Sequence, residues 1–177
     1  DVDSAEPSFA LWKLGRMAAN SNELTSIFNA GLSDLDVRLR QSDIAQEFIE
    51  HFDNFLNVFG SRGPNEWETA CETWGTNPAS VLTLIDRMRL TDEQNSPSVR
   101  SQELSKKREE ATRNARRELK GLGSWLFEKA LHSSILFSQA RERSKTTIVD
   151  LIHVARLITR ELAVSYTHLR AHETSRN

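Results

Sequence analysis

The chain has 177 residues, enough for one domain with a real hydrophobic core, and its 38% apolar and 27% charged residues are typical of a folded globular protein. No stretch of 18 apolar residues predicts a membrane span, no signal-like segment opens the sequence, and Cys71 by itself cannot form an internal disulfide. These features predict a cytoplasmic protein with no membrane partner.

The net charge of −2 conceals a division between two halves. Residues 1–97 hold 7 Lys/Arg and 16 Asp/Glu, whereas residues 98–177 hold 16 and 9. Halves of opposite sign either attract each other within one fold or form faces for different partners. We expect the first arrangement, in which the acidic first helices pack against a basic helix predicted at 99–120.

Apolar residues recur at intervals of three and four almost throughout, so the predicted fold class is all-α, a multi-helix bundle. Pro78, preceded by the potential cap Asn77, marks the start of one helix. No long apolar–polar alternation predicts a strand. The other predicted helices cover residues 8–19, 23–30, 44–59, 99–120, 122–130 and 148–162, and the 44–59 helix carries the stripe Ile44, Phe48, Phe52, Phe55 and Phe59.

A long loop interrupts these helices from Gly60 to Pro78, and its glycines are expected to adopt backbone conformations that a side chain would forbid. The loop carries Arg62, Glu66, Trp67 and Trp74. A guanidinium, a carboxylate that orients it and aromatic walls suit an anionic or planar ligand. In the alternative interpretation, an Arg62–Glu66 pair fastens the loop and both tryptophans pack on the bundle.

A second candidate lies further along the chain, where Arg141 and Lys145 are one helical turn apart and can hold a phosphate or carboxylate together. The alternative is a solvated charged face on which Arg141 pairs with Glu142.

Two other patterns do not predict sites. The basic run 106–120 is interleaved with glutamates and lacks aromatic residues, so no nucleic-acid partner is predicted. His168 and His172 have metal-ligand spacing but no third ligand nearby, and no catalytic or metal-binding residue is assigned.

The loop and its flanks resemble a known family of enzymes. The resemblance rests on Phe55-Leu56, on the segment Phe59-Gly60-Ser61-Arg62-Gly63-Pro64-Asn65-Glu66-Trp67-Glu68, on Trp74 and Asn77-Pro78, on Arg116-Arg117, on Arg141-Glu142-x-x-Lys145, and on Arg156. Residues 8–163 are similar to the central helical region of phosphoenolpyruvate-utilising enzymes, namely phosphoenolpyruvate synthase-like proteins and rifampin phosphotransferases.

The resemblance implies a substrate-binding or linker domain of an ATP-dependent phosphotransferase, inactive alone. ATP and magnesium would serve an ATP-grasp domain, and a swivelling phosphohistidine domain of the same polypeptide would carry the phosphoryl group to a small-molecule acceptor. None of the five histidines here matches the family's catalytic histidine. The acceptor groove would be walled by the Phe48–Phe59 stripe, Trp67 and Trp74, with Arg62, Arg141 and Lys145 as charge partners.

The ends of the chain predict a fragment of a larger enzyme. Residues 1–7 predict a disordered start, and residues 164–177 predict a non-native tail that resembles translated sequencing-adaptor read-through. The alternative function is a free-standing helical protein-interaction module that uses the basic helix 99–120. A pocket beside Arg62 would support the phosphotransferase domain, and burial of Arg62 against Glu66 beside a flat basic ridge would support the module.

Overall fold

The computed structural model describes the backbone of residues 5–174 and the side chains of residues 5–167. Within this range every regular element is helical, which confirms the all-α prediction. Short 3-10 turns at Asp43–Ala45 and Glu93–Asn95 precede two of the helices. The α-helices are α1 (Glu6–Asn20), α2 (Asn22–Asn29), α3 (Leu35–Arg40), α4 (Gln46–Phe59), α5 (Pro78–Arg89), α6 (Pro97–Glu118) and α7 (Leu122–Thr174).

Local capping explains where several of these helices begin. The side chain of Ser21 accepts the Leu24 N–H at the start of α2, and Asn77 caps α5 in the same way through the Ser80 N–H. Ser96 accepts the Val99 N–H at the start of α6. Proline occupies the first turn of both α5 and α6, where its missing N–H costs no hydrogen bond.

Helices α1 to α5 enclose the hydrophobic core. Phe48 and Phe52 of α4 lie at its centre, and the Phe28 ring meets Phe48 edge-on with 5.8 Å between centroids. The phenylalanine stripe therefore forms the core, and the prediction that it walls an acceptor groove is wrong. The buried residues are Leu11, Leu14, Ala18, Leu24, Phe28, Leu35, Leu39, Ala45, Phe48, Ile49, Phe52, Phe55, Val81, Leu82 and Ile85.

The closest helix packing is between α1 and α5. A Cβ built on Gly15 would lie 2.7 Å from the Met88 Cβ and 2.9 Å from the Arg89 nitrogen, so the contact requires glycine. Next to it, Arg16 Nη2 donates to the carbonyl oxygens of Met88 and Arg89, both at 2.7 Å. The guanidinium thus adds a donor to carbonyl groups of the last turn of α5, of which that of Met88 also accepts the Thr91 N–H.

Helices α6 and α7 differ from this core. No residue of α6 is buried, and along the described part of α7 Val149 and Arg156 are the buried side chains. Arg116 and Glu128 join the two helices, with 2.6 Å between Nε and Oε1. The apolar residues predicted as a stripe in 148–162 are largely exposed. Exposed apolar side chains of α7 include Leu122, Trp125, Leu126, Ile135, Leu136, Phe137, Ile148, Leu151, Val154, Leu157, Ile158 and Leu162.

The predicted packing of the acidic first helices on the basic helix is confirmed for α1, but the expected attraction between their charges is not. Helix α6 touches α1, but among the described residues no ion pair joins α6 to residues of the acidic half. The charges of the two halves meet instead where Lys145 of α7 contacts Glu66 of the long loop.

The ends of the chain are more helical than expected. Helix α1 begins at Glu6, inside the predicted disordered start, and α7 continues to Thr174 through most of the predicted 164–177 tail. The side chains of His168 and His172 lie outside the described range. In the described part of the chain, no helix is both long and apolar enough to span a membrane.

Candidate functional site

The loop between α4 and α5 folds back on itself through two backbone hydrogen bonds. The Trp74 N–H donates to the Arg62 carbonyl and the Gly75 N–H to the Gly60 carbonyl, each at 2.8 Å. A Cβ on Gly75 would lie 3.1 Å from the Gly60 oxygen, and one on Gly63 3.1 Å from the Glu72 oxygen. Neither Gly60 nor Gly63 has a positive φ, so the loop needs glycine for close backbone approach rather than for the unusual conformations expected from the sequence.

This fold of the loop places the Glu66 carboxylate between two cations. Lys145 Nζ of α7 lies 2.8 Å from Glu66 Oε1, and Arg62 Nη1 lies 3.5 Å from the same oxygen. Arg62 Nη2 donates to Thr146 Oγ1 at 2.9 Å. The side chains of Arg62 and Glu66 are only 12% and 11% exposed. The cluster has one positive charge in excess and connects the loop to α7.

A pocket of about 400 Å³ opens beside this cluster. Trp67 is 53% exposed at its wall, and Trp74 packs on Phe55 with 5.5 Å between ring centroids. The exposed indole offers a surface on which a planar ligand can stack, while the charged groups can orient an anionic one. The lining residues are Pro7, Ser8, Arg62, Gly63, Pro64, Glu66, Trp67, Trp74 and Lys145.

The structure thus brings together five of the six candidate residues, and Arg141 is the exception. Its side chain is 78% exposed, pairs with Glu142 at 2.8 Å and does not line the pocket. Lys145 turns toward Glu66 instead of sharing a face with Arg141. The predicted joint anion site of Arg141 and Lys145 is therefore wrong, and the alternative pairing with Glu142 is what the structure shows.

Arg156 supports the pocket from behind, although the sequence argument did not assign it to the site. Its side chain is fully buried, and Nη2 donates to the carbonyl oxygens of Glu66 at 3.0 Å and Glu68 at 2.9 Å. The stretch 148–162 contains two arginines, Arg156 and Arg160, and their spacing does not show which of them the loop contacts. Burial of an arginine requires hydrogen-bond acceptors, and the loop carbonyls supply them.

His153 completes this buried contact. Its Nδ1 lies 3.2 Å from Arg156 Nη1 and 3.3 Å from Thr73 Oγ1. Because a guanidinium can only donate, Nδ1 must be an unprotonated acceptor. Burial lowers the pKa of His153, and the charges of Arg156 and Arg160 lower it further, while Asp150 raises it. The structure therefore favours a neutral imidazole here.

The side chains described in residues 5–167 contain no group of three or more His, Cys, Asp or Glu that could hold a metal ion.

The described residues form an all-helical domain with a pocket lined by the long loop, the start of α1 and Lys145 of α7. A family model described as the rifampicin phosphotransferase fourth domain matches residues 1–143, and the chain belongs to this family. No curated protein and no solved structure matches the chain.

Proposed function

We propose that this chain is the acceptor-binding domain of a cytoplasmic, ATP-dependent phosphotransferase of the rifampicin phosphotransferase type. The observation that carries the proposal is the pocket beside Arg62, where Glu66, Lys145 and two tryptophans converge in a domain of this family. In the proposed arrangement, the pocket holds the acceptor while a phosphohistidine domain of the same polypeptide delivers the phosphoryl group.

Three side chains of the pocket serve acceptor binding in different ways. Trp67 presents its exposed ring to the apolar or planar part of the acceptor. Lys145 is partly exposed, so an anionic group of the acceptor can compete with Glu66 for its ammonium. Arg62 is held by Glu66 and Thr146, and it acts by keeping the carboxylate and the loop in place.

ATP and magnesium belong, in this proposal, to an ATP-grasp domain of the same polypeptide. The described residues of this chain do not fit either group, because they offer no metal-ligating cluster and the sequence has no glycine-rich phosphate-binding motif. No step of phosphoryl transfer is assigned to a residue of this chain, whose contribution is to bind and orient the acceptor.

The test is calorimetric titration of the 177-residue chain with two acceptors, rifampicin and pyruvate. We expect rifampicin to bind, because the exposed indole of Trp67 offers a stacking surface to an aromatic ring system, which pyruvate lacks. Trp67→Ala should weaken binding about tenfold or more, as truncation of an aromatic contact residue commonly does. The matched control is Arg141→Ala, which removes an exposed cation outside the pocket and should leave affinity unchanged.

The result that would overturn the proposal is failure of both acceptors to bind, or equal affinity in the wild type and in Trp67→Ala. Arg62→Ala adds a further distinction. If it lowers the melting temperature without changing affinity, the arginine serves the loop alone, as its contacts with Glu66 and Thr146 suggest.

The second candidate, a protein-interaction module that uses the basic helix, is favoured by a different observation. Helix α6 has no buried residue, and Arg62 is buried against Glu66, as this alternative requires. If the module is correct, exchange of Lys106, Lys107 and Arg113 for glutamine should abolish capture of an acidic partner protein. If the first proposal is correct, the same exchange should leave acceptor binding unchanged.

A further inference from the structure

Beyond the pocket itself, the loop that carries it depends on a buried polar contact with α7. The segment around Glu66 has no apolar anchor in the core formed by α1 to α5. Its backbone is held instead by Arg156, whose Nη2 reaches two carbonyl oxygens of the segment, those of Glu66 and Glu68. The backbone of the pocket wall therefore depends on the Arg156 guanidinium, while Arg62 and Lys145 hold the Glu66 carboxylate.

The guanidinium is positioned in turn by His153. Arg156 Nη1 donates to His153 Nδ1, and the Thr73 hydroxyl lies within hydrogen-bond distance of the same nitrogen. Nδ1 has one lone pair, so it can accept the Arg156 hydrogen only while it carries no proton itself. A proton on Nδ1 would face the N–H of Arg156, donor against donor, with two positive charges in contact.

We infer that Arg156 and His153 form a proton-sensitive clamp that positions the Glu66–Glu68 segment against α7 and thereby regulates the candidate acceptor site. Both act as positioning residues, since neither lines the pocket. The clamp does not depend on any acceptor, but its effect on acceptor binding rests on the proposed function.

The direction of the pH effect follows from the groups around the imidazole. On α7, Arg156 and Arg160 disfavour the protonated form and Asp150 favours it, while the loop presents the uncharged Thr73 hydroxyl. The closed form is the one in which Arg156 contacts both His153 and the loop, and in the open form these contacts are lost. Because burial and the two arginines lower the pKa of His153 in the closed form, the open form binds a proton more readily. The clamp is fully closed above the ordinary histidine value of 6.5 and weakens as the pH falls through 6.5 toward the lowered pKa.

The test measures amide hydrogen exchange by NMR in the acceptor-free chain, with each rate corrected for the intrinsic effect of pH. The reporters are the amides of Glu68 and Cys71, which donate within the loop, and the core helix amide of Leu14 is the internal reference. Between about pH 7.5 and about pH 5.5 the loop protection should fall about fivefold relative to Leu14, the effect of losing one buried hydrogen bond.

Two variants on α7 separate the clamp from a general effect of pH. His153→Gln should remove the pH dependence, whereas His132→Gln, at an exposed position of the same helix, should retain it. Arg156→Lys should lower loop protection at every pH, because one ammonium cannot reproduce the guanidinium contacts, and the exposed Arg143→Lys should not.

The clamp is refuted if loop protection is independent of pH, or if His153→Gln and His132→Gln behave alike. Should a variant fail to fold, the NMR titration of His153 in the wild type decides, since it must titrate below the ordinary histidine value of 6.5 and together with the loss of loop protection. The measurement uses no acceptor, so it can fail while rifampicin still binds, and it can succeed when no acceptor binds.

Discussion

Helices α1 to α5 and helix α7 carry similar apolar spacing but use it differently. In the first group the spaced residues are buried against one another, with Phe52 and Leu39 fully inaccessible. In α7 Ile148, Leu151 and Ile158 stay exposed, and its contact with the rest of the molecule combines the buried Val149 with polar groups near Glu66 and Arg156. The difference shows that helical periodicity indicates a surface able to pack, and does not determine what packs on it.

The largest expected effect is the contrast between an apolar side chain of the core and one of α7. Phe52→Ala should lower the free energy of unfolding by about 3–5 kcal/mol, because it removes buried contacts and leaves a cavity. Ile158→Ala should change it by less than about 0.5 kcal/mol, because the side chain is 56% exposed. Urea denaturation of both variants measures the difference. Equal losses would mean that the α7 stripe is buried in solution.

A second contrast uses a glycine from each region. Gly15→Ala should destabilise the chain by about 1–3 kcal/mol, because the new methyl group collides with the backbone and Cβ of α5. Gly123→Ala near the start of α7 meets no atom closer than 3.7 Å and should stabilise the chain by about 0.5–1 kcal/mol. Thermal unfolding of the two variants gives opposite shifts, and shifts of the same sign would contradict the close packing of α1 on α5.

The smallest effect concerns the ion pair that connects the two regions. A double-mutant cycle of Glu66→Gln and Lys145→Met should give a coupling free energy of about 0.5–1 kcal/mol, which decreases with added salt because Lys145 is partly exposed. The same cycle on Arg141 and Glu142, where the arginine side chain is 78% exposed, should give a coupling near zero. An equally large coupling free energy for Arg141 and Glu142 would show that the Glu66–Lys145 pair does not connect the two regions more strongly than an ordinary surface pair.

Part of the candidate site could be predicted from the sequence, and the reason is chemical. Arg62, Glu66, Trp67 and Trp74 share one loop bounded by glycine and proline, so their proximity follows from a short stretch of chain. Arg141 was placed in the site because it is one turn from Lys145, yet the two side chains take different directions. Spacing on a helix defines neighbours on its surface and does not tell which of them another segment will contact.

The sequence by itself predicted the all-α class, the long loop and counterparts of α1, α2, α4, α5 and α6, but it did not predict α3 and it divided the single helix α7 into two. Asn77 with Pro78 and Ser96 with Pro97 are local signals, since caps and first-turn prolines act on hydrogen bonds within a few residues. The tertiary structure alone decided that α1 to α5 bury their apolar stripes, that Lys145 meets Glu66, and that Arg156 lies buried beneath the loop. These contacts join residues far apart in the chain, and their free energy depends on shape and desolvation that exist only once the helices have packed.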